Sequence, residues 1–335
     1  MKILVTGADG MLGSNLVREL LERGHSVCAF LLPDSNAPTL QGLDIEFTYG
    51  NILDVNQLTI AASGCDAIIH TAANTNIWPN RSDIVRKVNV EGTRNVISAA
   101  LAAHIKKMVY VGTANSFGFG SKQTPGNEKQ PYRSAKYGLD YMDSKYDAQQ
   151  LVLNAVKDKN LPAVIVNPTF MWGPYDSKPG AGAMILAIYQ GKIPVSAPGG
   201  RNYIYVKDVV VAIANALEKG TVGDCYIAGN ENLNYKEAFD KIAKVVGVKP
   251  PGMKIPGFLT KAYGWAGTSI SGLTGKPPTV SYAMAQISCD EHYFSAEKAV
   301  KELGMPQTNI EVAIQECFAW LKENGYCGEK EESTI

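Results

Sequence analysis

The chain has 335 residues, 45% of them hydrophobic, and its Lys plus Arg equals its Asp plus Glu at 32 each. That length fits two domains, or one large domain with an appended lobe, and the balanced charge leaves no overall basic field for nucleic acid or an anionic membrane. No stretch reaches the ~18 apolar residues of a spanning helix, and the short apolar run after Lys2 is too brief for a signal core. A cytoplasmic protein is therefore expected, with the six scattered cysteines as reduced thiols and no metal site.

In chain order the first half alternates strand-like and helix-like runs. Ile3–Val5 reads as a strand, Leu12–Arg23 as a helix, and Val27–Leu31 and Ile45–Phe47 as strands. Val55–Ser63 (helix), Ala67–Ile69 (strand), Ile84–Ala103 (helix) and Met108–Val111 (strand) follow, then the helix Tyr141–Lys157 and the strand Ala163–Val166. This alternation predicts an α/β fold, a Rossmann-type doubly wound parallel sheet with a smaller C-terminal substrate lobe. Residues 1–168 would form the dinucleotide-binding domain, with 206–228 returning to it. The lobe would take 169–205 and 229–327, and 328–335 would be a frayed tail. After Pro168 the Pro- and Gly-rich texture predicts loops and short elements over the sheet edge. Helical patterns resume at Val206–Glu218, Tyr235–Val246 and Ile310–Asn324.

Gly7, Gly10 and Gly13 form GxxGxxG between the first strand and first helix. Glycines there permit a tight turn and close approach of a pyrophosphate, and the helix N-terminus supplies free N–H groups. Met11 and Leu12 belong to the same cofactor-binding turn. An acid near the end of the second strand would favour NAD, and an arginine NADP. Leu31 and Leu32 stand there, followed by Pro33, Asp34, Ser35 and Asn36, so neither signature is present. The missing acid removes repulsion of a 2′-phosphate, which tilts the expectation to NADP(H), with NAD(H) as the alternative.

Tyr141 and Lys145 are four apart and share a face of one helix. A tyrosine beside an ammonium and a cationic nicotinamide can exchange a proton with a carbonyl oxygen, because both charges favour the phenolate. Tyr132 and Lys136 have the same spacing but lie in a Pro/Arg/Ser segment that reads as loop. Thr113, just past the fifth strand, could orient the substrate oxygen toward Tyr141, or could merely satisfy its own backbone.

TGADGMLG at 6–13, NVEGTRNV at 89–96, VGTANSFG at 111–118, YMDSK at 141–145, NPTFMWGP at 167–174 and YVKDVV at 205–210 run in one order over about two-thirds of the chain. With them the chain resembles the extended short-chain dehydrogenase/reductase family. HTAANTNIW at 70–78, GGRNYIYVKD at 199–208, KPPT at 276–279 and AEKAVKELG at 296–304 make it most similar to the dihydroflavonol 4-reductase-like and 3β-hydroxysteroid-dehydrogenase-like branch. The resemblance implies Tyr141 as acid/base, Lys145 on the nicotinamide ribose, Thr113 in place of the usual serine, and Asn89 behind the proton path. It also implies Asn51 and Ile52 at the adenine, Ala72 and Ala73 along the dinucleotide, and Pro168 and Thr169 at the nicotinamide. The branch often has Val-Arg where this chain has Leu31-Leu32, and Ser-Ser where it has Gly112-Thr113.

Trp78, Asn115, Phe170 and Trp265 are the candidate substrate contacts. The span Trp172–Ile204 offers only Lys178, Lys192 and Arg201, few bases for clamping a diphosphate. Ala262–Gly275 is uncharged and includes Tyr263, Trp265, Ile270 and Leu273. It could wall an apolar pocket, touch a membrane peripherally, or pack as an ordinary lobe helix. The expected activity is NAD(P)-dependent reduction of a small hydrophobic ketone, or oxidation of its alcohol, by a monomer or homodimer. Sterols, long-chain 3-keto lipids and flavonoid-like rings fit. A nucleotide-sugar epimerase or dehydratase and a catalytically silent NAD(P)-binding regulator are the alternatives.

Overall fold

The structure, a computed structural model, describes residues 1–328. The expected tail at 328–335 lies outside the described residues apart from Gly328. In chain order the first half is β1 (Lys2–Thr6), α1 (Met11–Glu22), β2 (Ser26–Leu31), β3 (Glu46–Tyr49), α2 (Val55–Ala62) and β4 (Ala67–His70). Then come α3 (Asp83–Arg86), α4 (Gly92–Ala102), β5 (Lys107–Val111), α5 (Asp140–Lys159) and β6 (Ala163–Pro168). The single helix expected over Ile84–Ala103 is broken by a π-helical turn at Lys87–Glu91. Such turns are rare, and they concentrate at functional positions.

The second half is β7 (Phe170–Trp172), α6 (Gly182–Tyr189), β8 (Val195–Ser196), β9 (Gly200–Tyr205), α7 (Val206–Lys219) and β10 (Cys225–Ala228). It ends with β11 (Glu231–Asn234), α8 (Tyr235–Val246), β12 (Met253–Lys254), α9 (Gly257–Thr274), α10 (Tyr282–Cys289), β13 (Glu291–His292), α11 (Glu297–Leu303) and α12 (Ile310–Glu323). The segment after Pro168, expected as loops and short elements, also holds α6. No helix among the described residues is long and apolar enough to cross a membrane.

Seven parallel strands form the main sheet in the order β10-β6-β5-β4-β1-β2-β3. The strands are apolar on both faces, as a sheet covered twice requires. Ile3 and Val5 enter the core under α1 and α7, while Leu4 enters the opposite core under α2 and α4. Burying each such side chain contributes about 1.5–3 kcal/mol. A second sheet centres on β9, which pairs with β11, β13 and β7. With α6, α8 and α12 it builds a separate core around Trp172, Tyr203 and Phe239. The parallel order brings the C-terminal ends of β1, β4, β5 and β6 to one edge, facing this lobe.

The turn from β1 to α1 shows why glycines stand there. Gly7 has φ +71°, and a Cβ on it would lie 2.7 Å from the Ala72 Cα. A Cβ on Gly13 would lie 2.1 Å from the Gly7 carbonyl oxygen. A Cβ on Gly10 would meet only that oxygen, at 3.5 Å. The protein thus fills the space around Gly7 and Gly13 and leaves Gly10 open to the cleft. Gly13→Val should lower the melting temperature markedly, whereas Gly10→Val should leave it nearly unchanged and abolish dinucleotide binding. Thermal melts and calorimetric titration of both variants check this, and a Gly10→Val chain that still binds the dinucleotide would refute it.

Candidate active site

The N-terminus of α1 is an uncapped set of N–H donors. Gly10 is its N-cap, no side chain caps it, and no acid lies in its first turn. The N–H groups of the opening turn at Met11, Leu12 and Gly13 therefore point at the strand edge without intrahelical partners. Together with the open face of Gly10, this fits the pyrophosphate of a dinucleotide. Met11 and Leu12 send their side chains inward to the lobe core. Ala72 packs against Gly7, and its N–H reaches the Thr6 hydroxyl at 3.4 Å. Ala73 follows it, half-buried. Asn51 and Ile52 follow β3, where Ile52 is buried against Gly92. Leu32 is 59% exposed just past β2. Pro168 pairs with Ala228, and the Thr169 hydroxyl meets Asn202 Oδ1 at 2.8 Å. That bond turns Thr169 toward the lobe.

Tyr141 and Lys145 stand in the first turns of α5. Asp140 and Asp143 favour this helix end electrostatically. The Asp140 carboxylate also accepts from the Ser82 N–H at 2.6 Å and pairs with Arg81 at 2.9 Å. Thr113 follows β5 and is buried, and its hydroxyl stands close enough to the Tyr141 phenol to favour the phenolate. Lys145 Nζ donates to the Val111 carbonyl at 2.8 Å and lies 4.5 Å from the centre of the Tyr110 ring. Thr113, Tyr141 and Lys145 are thus brought together as expected. The second Tyr-x-x-x-Lys pair is split. The Tyr132 hydroxyl donates to Asp143 at 2.6 Å and its ring stacks on Tyr146, while Lys136 pairs with Asp290 at 2.7 Å.

Asn89, in the π-helical turn, lies behind Tyr141 rather than at the reacting atoms. Its Oδ1 accepts from the Asn74 N–H at 2.7 Å, and its Nδ2 donates to the Asn74 carbonyl and to Ser144 Oγ. Ser144 Oγ in turn donates to the Tyr141 carbonyl at 3.2 Å. This chain ties the loop after β4 to the helix turn that presents Tyr141. Ser144 escaped the sequence analysis, as did Asn167, whose amide donates to the Thr113 carbonyl at 3.1 Å and to Gln149.

Among the candidate substrate contacts, the Asn115 N–H bonds the Thr113 hydroxyl at 3.3 Å, and Phe170 lies on β7 beside β9. Trp78 is half-buried in the loop after β4. Trp265 is 64% exposed on α9. The buried face of α9 carries small residues: a Cβ on Gly264 would meet the Ala285 Cβ of α10 at 2.5 Å. It is α10, through Ala283 and Ile287, that joins the cluster around Tyr141.

Burial raises the Tyr141 phenol above its ordinary value, and the Thr113 hydrogen bond and the Arg201 charge oppose that rise. Burial alone brings the Lys145 amine down to about 7. Two neighbours stay neutral for the same reason. Buried His70, between Thr6 and Thr93, and His292, against Phe119 and Tyr137, are each lowered to about 3. Above about pH 7, folded Lys145 has lost a proton that the unfolded chain keeps up to ~10.4. Its contribution to stability therefore increases as pH rises through 7. The melting temperature of the free protein, relative to Lys145→Met, should rise between about pH 7 and about pH 9. A constant difference would mean that the amine is not depressed.

Known proteins resemble this chain in sequence and in fold. Residues 3–229 match the family described as NAD dependent epimerase/dehydratase family. The "Putative dihydroflavonol 4-reductase" of Synechocystis sp. is 32% identical over 327 residues, covering 96% of this chain and 95% of that protein. The "2-alkyl-3-oxoalkanoate reductase" of Stenotrophomonas maltophilia is 30% identical over 337 residues, covering 94% of this chain and 98% of that protein. The crystal structure of gox2253 superposes with a TM-score of 0.86 at 35% identity, covering 96% of this chain and 98% of that one. With the glycine turn, the Thr113–Tyr141–Lys145 set and these matches, the chain belongs to the NAD dependent epimerase/dehydratase family, the extended short-chain dehydrogenases/reductases, and is an NAD(P)-dependent oxidoreductase.

Proposed function

We propose that the chain reduces the carbonyl of a small hydrophobic ketone, or oxidises the matching alcohol, with Tyr141 as the acid and base. The observation that carries this is the meeting of Thr113, Tyr141 and Lys145 beside an uncapped helix N-terminus. Bound NAD(P)H supplies the hydride. The Thr113 and Tyr141 hydroxyls donate to the carbonyl oxygen and fix its position. Tyr141 then passes its proton to that oxygen, so ketone, NAD(P)H and a proton yield alcohol and NAD(P)⁺. Lys145, one helical turn on, holds the nicotinamide ribose, and its charge favours the phenolate for the reverse reaction. Pro168 sits where the nicotinamide ends. Trp78, Asn115 and Phe170 line the substrate side, and α10, through Ala283 and Ile287, closes the apolar end, with α9 and the exposed Trp265 packed outside it. One relative's name, 2-alkyl-3-oxoalkanoate reductase, supports a long-chain 3-keto lipid among the candidate ketones. Loss of nicotinamide absorbance with a panel of ketones tests the reading. An epimerase would regenerate its cofactor, so sugar conversion without net oxidation would overturn it.

The side chains near the adenosine end support NAD(H) over NADP(H). Asp9, inside the glycine turn, accepts a 2.8 Å bond from the Ser35 hydroxyl just beyond β2. An acid that would hold the ribose 2′-OH is thus supplied by the loop rather than by the end of β2. A 2′-phosphate there would meet a carboxylate. Arg18 is held away from the Ser35–Asp9 pair, with Nη1 and Nη2 on the Ser14 and Thr39 carbonyls and its guanidinium 3.8 Å over the Tyr175 ring. The sequence, searched only after β2, pointed the other way.

Tyr141→Phe should cost roughly 10²–10⁴ in turnover with little change in cofactor affinity, since it removes one general acid. Tyr132→Phe should retain activity, and the opposite pair of results would reassign the acid. Asp9→Asn should raise affinity for NADP⁺ relative to NAD⁺ by roughly tenfold or more, as removal of a like charge predicts. Adding Leu32→Arg should extend the shift. Calorimetric dissociation constants for both dinucleotides decide it, and an unchanged ratio in Asp9→Asn would defeat the NAD assignment.

A further inference from the structure

The lobe helix α9 is built inside out. Thr260, Gly264 and Ser271 are buried, and Gly267 is half-buried on the same face. The two glycines draw this face onto the neighbouring chain. A Cβ on Gly264 would lie 2.5 Å from the Ala285 Cβ, and one on Gly267 would lie 2.6 Å from the Val280 carbonyl oxygen. The large apolar side chains point the other way. Phe258 is 71% exposed, Trp265 64% and Leu273 89%, and helical spacing puts all three on the outward face. Leu259, Tyr263 and Ile270, also exposed, widen this strip along one flank. A helix at the surface of a globular protein normally buries its apolar side chains and exposes its polar ones. The reversal in α9 leaves a continuous apolar strip in water, the mark of a contact site.

Charge says what the strip meets. Between Asp240 and Asp290 the chain has no acidic residue, although acids and bases balance at 32 each over the whole sequence. Three lysines of this span accompany α9: Lys254 just before it, Lys261 in its second turn and Lys276 just past its end. All three are exposed, and none forms an ion pair among the described residues. A second copy of the chain is a poor partner for such a face. A two-fold contact sets the same patch against itself, which would bring lysines to lysines with no acid between them. An anionic lipid surface fits both components. The lysines meet the headgroups, and the aromatic and aliphatic side chains enter the boundary between headgroups and acyl chains, a depth that favours Trp and Tyr.

We propose that α9 is a docking face for an anionic lipid surface, with Phe258, Trp265 and Leu273 entering the boundary and Lys254, Lys261 and Lys276 at the headgroups. The helix lies in the plane of the surface and does not cross it. On its inner side α9 packs on α10, which contributes Ala283 and Ile287 to the cluster around Tyr141. Docking therefore turns this side of the lobe to the lipid. Under the ketone reading above, an apolar substrate then reaches the site from the bilayer rather than from water. The docking itself does not depend on that reading.

Flotation with vesicles of equal parts phosphatidylcholine and phosphatidylglycerol, compared with phosphatidylcholine alone, tests the proposal. No substrate is present, so the result stands apart from whether the chain reduces ketones. The wild type should float with the mixed vesicles and bind phosphatidylcholine alone roughly 100-fold less tightly, the worth of three lysines near an anionic surface. Lys254→Gln, Lys261→Gln and Lys276→Gln together should bring mixed-vesicle binding down to the phosphatidylcholine level, and added salt should act in the same direction. Trp265→Ser and Leu273→Ser should each weaken mixed-vesicle binding by roughly ten- to a hundredfold. Melting temperature and NAD⁺ affinity should stay at their wild-type values in every variant, because the side chains replaced are exposed. A wild type that floats with neither vesicle or equally with both, or mixed-vesicle binding unchanged in the variants, would overturn the proposal. So would a lipid-free dimer, seen by sedimentation, that Trp265→Ser and Leu273→Ser split into monomers, since the face would then belong to a second copy. A large fall in the melting temperature of both variants would return the strip to the packing of the lobe and overturn it as well.

Discussion

The hydrogen bond from Lys145 Nζ to the Val111 carbonyl joins two parts of the chain that must not drift apart. One is the helix that presents Tyr141, and the other is the strand end that presents Thr113. A buried amine without a carboxylate partner is a poor tether by charge alone, but it has one strong acceptor and the face of Tyr110 beside it. Asn167 strengthens the same junction by donating to the next carbonyl but one, that of Thr113. Asn89 and Ser144 fix the helix from its other side. The relative position of the two hydroxyls is thus held by hydrogen bonds from both sides of α5, in addition to the packing of Met142, Ala148 and Val152.

The same economy governs charge around the site. Two buried histidines are kept neutral, and the acids near α5 are spent on Arg81 and Arg86. The positive charges left near the Tyr141 phenol are that of Arg201 and, below about pH 7, that of Lys145. A low-dielectric site with few charges magnifies each of them. The Tyr141 phenol therefore responds to a small number of neighbours, and their removal has effects that can be told apart.

Much of this was legible in the residues, and the parts that were not have physical reasons. The strands β1 to β6 and the helices between them are written in apolar runs and 3.6-residue periodicity, so they could be found one by one. Tyr141 and Lys145 could be chosen over Tyr132 and Lys136 as the candidate pair because one pair sat in a helical pattern and the other did not. The lobe was less open to this approach. The eight residues of α6 are nearly all apolar, and a short apolar run does not declare its period. The π-helical turn at Asn89 left no mark in a pattern that read as continuous helix. Asp9 was hidden because a carboxylate in the glycine turn looks like a turn residue, and its reach to Ser35 is a matter of three dimensions.

The sheet is finished out of order. The chain leaves it at Pro168, builds β7 and β9 elsewhere, and returns only at Cys225 to lay β10 beside β6. During synthesis, β6 must therefore wait with its outer edge unpaired while the intervening segment emerges from the ribosome. Such an edge is an invitation to pair with the wrong strand. A contiguous fragment ending near residue 168 would keep that defect permanently. The nucleotide-binding half is consequently poor material for excision or fusion as a module, even though most of its strands are consecutive.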